Sequence, residues 1–131
     1  MGWVLRDNEI ESVILLDGPK RYGYCVKKIA DQQQLWGLRQ EDGWALAVDD
    51  AGHELLPVWP HEKFALLCAT GIWAGHQPKA IDLDDWLERW TPGMNKDGRL
   101  VAVFPTPQDK GVAVDPRRLE VDLREELSQY E

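Results

Sequence analysis

The spacing of apolar residues first changes along this chain at Gln34, and that change limits the folds open to it. Before it, the pattern is helical. Ile10, Val13 and Ile14 follow Asp7, with Glu9 and Glu11 where a helix N-terminus favours acidic groups. Asp17-Gly18-Pro19 ends that run and starts a second, in which Tyr22, Cys25, Val26 and Ile29 recur at i, i+3, i+4 and i+7. Beyond Gln34 the runs are short and extended: Leu35 to Leu38, Trp44 to Val48 and Glu54 to Trp59, separated by Asp-Gly and Asp-Asp-Ala-Gly turns. Three such runs in succession suggest an antiparallel meander.

Helical spacing returns after Pro60, with Phe64, Leu67 and Cys68 inward. It returns again after Asp82, where Leu83, Trp86, Leu87 and Trp90 form a stripe that Thr91-Pro92-Gly93 is expected to end. Two strands, Leu100 to Phe104 and Gly111 to Val114, precede a last helix opened by Asp115-Pro116 and carrying Leu119, Leu123, Leu127 and Tyr130. The expectation is a single α+β domain over residues 1–131, with a helical segment at 1–31 and a mixed core at 34–131. Its antiparallel or mixed sheet has about five strands, packed with four to five helices.

The chain has 131 residues and a net charge of −8, and both bear on function. The length suffices for a real core without metal or disulfide staples. The acidity argues against nucleic acid, whose phosphates are bound by Lys and Arg, and suits a basic protein partner instead. Lys20-Arg21, Lys27-Lys28 and Arg117-Arg118 read as solvated helix faces. No run is apolar and long enough to span a bilayer, and no secretory signal is visible, so the expected location is the cytoplasm, without membrane association. Cys25 and Cys68 fall on apolar helical faces and are expected to be buried free thiols.

No catalytic or cofactor signature stands out, so the chain is read as non-enzymatic and without a cofactor. His53, His61 and His76 are eight and fifteen residues apart and lack the close pairing of a metal site. His61 and Cys68, seven apart on one helix, lie about 10 Å apart along its axis, too far for a nucleophile and its base. Asp82, Asp84, Asp85 and Glu88 read as a capped, solvated helix start rather than paired catalytic carboxylates.

Seven tryptophans are the chain's compositional oddity. Trp86 and Trp90 read as core. Trp36 and Trp44 lie in strands, where either face is open to them. Trp59, at a strand–helix junction, and Trp73, after Gly71, are the two whose positions suit a surface role. With His61, Phe104 and Pro105 they make a candidate binding groove. The plainer reading, and the weightier one, has Trp59 and Trp73 covering the seam between helix and sheet.

Several segments resemble a known family. Arg21-Tyr22, Leu35-Trp36-Gly37-Leu38, Asp42-Gly43-Trp44-Ala45-Leu46, Leu56-Pro57-Val58-Trp59-Pro60-His61 and Val103-Phe104-Pro105-Thr106-Pro107 look like a bacterial family of uncharacterised proteins, the domain of unknown function numbered two-seven-five-zero. That resemblance implies no activity, cofactor or catalytic residue. Gly23 and Cys25 depart from its pattern, which expects bulkier residues there. A more distant likeness, through Leu56-Pro57-Val58-Trp59 and Val112 to Leu119, is to SseB-like (enhanced serine sensitivity) domains, and it implies an interaction or regulatory role.

The leading expectation is therefore a cytoplasmic protein-binding or regulatory domain, for instance of immunity type, that presents an acidic, Trp-rich surface to a basic protein. An alternative is a small-molecule binder or hydrolase, with His61 as acid–base and Asp82 or Asp85 as its orienter. A third is a structural subunit of a larger assembly, recognisable by a large exposed apolar patch. Oligomeric state is not legible in the sequence.

Overall fold

The computed structural model describes residues 3–130. Helices α1 (Asp7–Ile14) and α2 (Gly18–Gln32) come first. Strands β1 (Gln34–Gln40), β2 (Gly43–Trp44), β3 (Ala47–Val48) and β4 (Glu54–Val58) lead to α3 (Glu62–Leu67) and a 3₁₀ turn, Gly71–Trp73. Strand β5 (Gln77–Asp82) enters α4, a continuous helical stretch over 83–97. Strands β6 (Leu100–Val103) and β7 (Val112–Val114) precede α5 (Pro116–Ser128). The fold is α+β, as expected.

The local signals explain most element starts. The Asp17 carboxylate accepts the Lys20 N–H at 3.0 Å, with Pro19 in the first turn of α2, where its missing N–H costs nothing. Asp82 caps α4 and Asp115 caps α5 in the same way. One boundary differs by a residue: Asp7 lies inside α1 and Arg6 is the N-cap.

The strands do not form the expected meander. They make two sheets, one ordered β2-β1-β5 and one ordered β3-β4-β6-β7, seven strands in place of about five. The run read as one strand, Trp44 to Val48, divides: Gly43–Trp44 pairs with β1 and Ala47–Val48 with β4, so the chain crosses between sheets at Ala45-Leu46. The extended piece before Asp82 is a full antiparallel partner of β1, with Leu35 opposite Ile81. Strands β4 and β6 run parallel, Leu56 beside Val101. Trp36 and Trp59 exchange two backbone hydrogen bonds of 2.8 Å and join the sheets.

Pro92 does not end its helix. Residues Trp86–Trp90 widen into a π-helical turn in which the Thr91 N–H reaches back to the Trp86 carbonyl. Pro92 then stands in the first turn of a renewed α-helix that runs to Asp97, and left-handed Gly98 closes it. Two other expectations fail at helix ends. Leu67 is 40% exposed while Ala65 takes the inward position, and Tyr130, past the end of α5, is exposed.

None of the seven tryptophans is fully exposed: Trp59 and Trp86 are buried and the other five are half-buried. Trp86 stacks on Trp90 at 5.6 Å, and Trp44 meets Trp90 edge-on at 5.0 Å. Trp44 lies directly over Gly37, where a Cβ would come within 2.9 Å of the indole. The aromatic excess of this chain builds its interior.

Candidate functional site

Apart from His61, the residues singled out in the sequence as a groove meet within the fold. Trp59 and Phe104 are fully buried and Pro105 is buried with them. The Trp59 indole N–H donates to the Pro105 carbonyl at 2.8 Å and its ring meets half-buried Trp73 edge-on at 6.1 Å. The Cys68 thiol donates to the same carbonyl at 3.4 Å. Phe104 takes a left-handed backbone conformation, φ 59°, with its ring 4.7 Å from Phe64. Trp73 spends its N–H on the Leu46 carbonyl at 3.2 Å. Trp59 and Phe104 are therefore not surface anchors, the less weighty of the two readings, and both rings pack within the fold.

Arg21, read as a solvated charge, is 2% exposed. Its Nε donates to the Phe104 carbonyl at 3.0 Å and Nη1 to the Leu16 carbonyl at 2.8 Å, and Nη2 lies 3.1 Å from the Asp109 carboxylate. A planar, permanently charged fork is suited to holding several carbonyls at once. The Gly111 backbone N–H, and then Arg21, hold the Asp109 carboxyl below its ordinary range. Arg21 and Trp59 thus fix consecutive carbonyls of the Phe104-Pro105 turn.

His61 stands apart from this knot and is half-buried. Its Nδ1 accepts the Lys63 N–H at 3.1 Å, capping α3, and its Nε2 lies 3.2 Å from the Trp3 carbonyl, which can only accept. The ring is therefore neutral with its proton on Nε2. Burial lowers its pKa, against the raising effect of the Trp3 carbonyl. Both nitrogens are used, Asp82 spends its carboxylate on the Asp84 and Asp85 N–H groups and Asp85 lies 3.9 Å from Arg89, so His61 pairs with neither Asp82 nor Asp85. Among the described residues no three His, Cys, Asp or Glu side chains gather as metal ligands. Burial raises both thiols, Cys68 to about 11, which suits inert core cysteines.

The surface feature that the sequence did not disclose lies between α2 and α5. The helices run parallel: Tyr22 donates its hydroxyl to Asp122, while Asp31 and Tyr130 approach at the far end. Two adjoining hollows share Tyr22 and Arg118. One, of about 340 Å³, is apolar, walled by Pro19, Val112 and Val114. The other, of about 300 Å³, is walled by Gly23, Val26, Asp122, Glu125, Glu126 and Gln129. At their junction Asp122 accepts from Tyr22 and, at 3.1 Å, from Arg118. Burial, then this bond, hold the Tyr22 hydroxyl protonated.

Charge along this groove is uneven. Neither α2 nor α5 has a basic residue in its last turn, where the helix dipole would favour one. Asp31, Glu125 and Glu126 stand there instead. Gly23 sits mid-helix with nothing within 4 Å of where a Cβ would be, so packing does not require glycine. It lowers helix stability by about 1 kcal/mol relative to Ala and leaves the groove floor open. The one trace in the sequence was Gly23 itself, an anomaly in a good helical pattern. The neighbouring wall of α5 is set by tertiary packing.

Compared with known families, residues 22–123 match the one described as "Protein of unknown function (DUF2750)". No curated protein and no solved structure matches the chain. The matched span begins at Tyr22 and ends at Leu123, and so takes in the Tyr22–Asp122 contact at the centre of the groove. The SseB-like resemblance gains no support from these comparisons.

Proposed function

The chain belongs to the DUF2750 family of proteins of unknown function, and we propose that it is a non-enzymatic protein-binding domain that docks a basic segment of another protein in the groove between α2 and α5. The observation that carries this is the pairing of an apolar hollow with a carboxylate-walled one across Tyr22 and Arg118. An apolar anchor supplies contact area, and the carboxylates select Lys or Arg over other partners. Both hollows are shallow and open, which favours a macromolecular segment over an enclosed small molecule. The net charge of −8 adds long-range attraction for a basic partner and none for nucleic acid. Two buried, unpaired thiols suit a reducing cytoplasm. Neutralising a basic toxin would be one immunity-type form of this role.

Affinity capture from cells that express the protein, comparing the natural chain with Gly23→Leu, tests the proposal. Leucine at this open helical position preserves the helix while filling the floor. A reproducible basic partner that the variant loses supports docking at the groove. Equal recovery by both chains contradicts it.

A further inference from the structure

We infer that the segment seated in this groove is an amphipathic α-helix of a basic partner protein, with apolar residues in one half and Lys or Arg in the other. This rests on the docking role proposed above and specifies its partner. The walls are mostly helical: Pro19 to Val26 of α2 covers about 10 Å, and Arg118 to Gln129 of α5 about 16 Å. A guest of about three turns matches that length and can lay side chains at i, i+3, i+4 and i+7 between the two crests. An extended guest would need a strand edge for its backbone. The edge strand at the groove, β7, spans only Val112–Val114.

The charge layout fixes the guest's chemistry. The apolar end is formed by Pro19, Val112 and Val114, and the acidic end by Asp122, Glu125 and Glu126. At that end the C-terminus of α5 adds partial negative charge. A second copy of this chain, itself at −8, is repelled rather than drawn in.

The test uses the full chain and a fluorescent synthetic peptide of about four turns, leucines at helical spacing in one half and lysines in the other. One control peptide carries two interior prolines, and another has glutamate for lysine. Saturable binding is expected, weakened about tenfold or more by the prolines, by Gly23→Leu and by the glutamates, and falling with added salt. If the proline peptide binds the groove as tightly as its parent, the guest is extended and the helical inference is overturned while docking stands. If the natural chain binds no lysine peptide, or Gly23→Leu binds it equally, the docking role falls as well.

Discussion

The indole N–H of Trp59 donates to the carbonyl of Pro105 across 2.8 Å, tying the end of β4 to the turn that leaves β6. Both partners are buried, so the bond is not exchanged with water. Trp59→Phe strands the Pro105 carbonyl with only the weak Cys68 donor and leaves a void. A loss of about 2–4 kcal/mol is expected, read as a lower urea midpoint at unchanged slope. An unchanged midpoint would contradict a structural role for this ring.

Arg21 acts on the neighbouring carbonyl. Arg21→Met keeps the apolar stem but deprives the Phe104 and Leu16 carbonyls of their donors, for an expected loss of about 2–4 kcal/mol. Asp109 gives the acid signature. Its folded pKa is depressed, so its contribution is complete above the ordinary carboxylate value of about 4 and is lost as pH falls through the folded value. Asp109→Asn should therefore flatten part of the stability loss in acid, measured as urea midpoints at a series of pH values.

The capping aspartates were legible because a cap depends on residues two or three apart: Asp82 and Asp115 cap as expected, and Asp17 caps the helix that its Asp-Gly-Pro segment was expected to start. Arg21 was not, because its partner carbonyl at Phe104 is 83 residues away. Beside Lys20 it looked like any surface charge. Trp59 was legible as a junction residue, but its burial depends on the turn at Pro105 closing over it. Strand alternation gave no hint that Trp44 and Val48 would join different sheets. The groove shared this fate: Gly23 was visible as an oddity, while Asp122 and Glu126 acquired meaning only once α5 lay beside α2.

His61 sets a second pH dependence in a separate window. Folding favours its neutral ring, whose depressed pKa follows from burial. Stability is complete above the ordinary histidine value of about 6.5, and declines as pH falls from there toward the folded value. Protonation places a hydrogen on Nδ1, facing the Lys63 N–H that it caps. His61→Asn keeps a capping oxygen and should remove the slope that sets in below the ordinary histidine value of about 6.5. Thermal midpoints of the two chains across that range check this, and parallel slopes would contradict it.

Two glycines should respond in opposite directions. Gly37→Ala drives a Cβ to 2.9 Å from the Trp44 ring and must displace it from Trp90, at a cost of about 1–3 kcal/mol and a changed near-ultraviolet circular dichroism. Gly23→Ala meets nothing and should raise stability by about 0.5–1 kcal/mol. Urea titration of both variants distinguishes the packed glycine from the open one.

The central claim is that the open floor at Gly23 is a docking surface for a basic partner. Amide chemical-shift mapping of the natural chain during titration with the lysine peptide tests it most directly. Shifts confined to Tyr22, Gly23, Val26, Val112, Val114 and the Arg118 to Gln129 stretch are expected, and their absence in Gly23→Leu. Shifts centred elsewhere, or the same shifts in that variant, would contradict the claim.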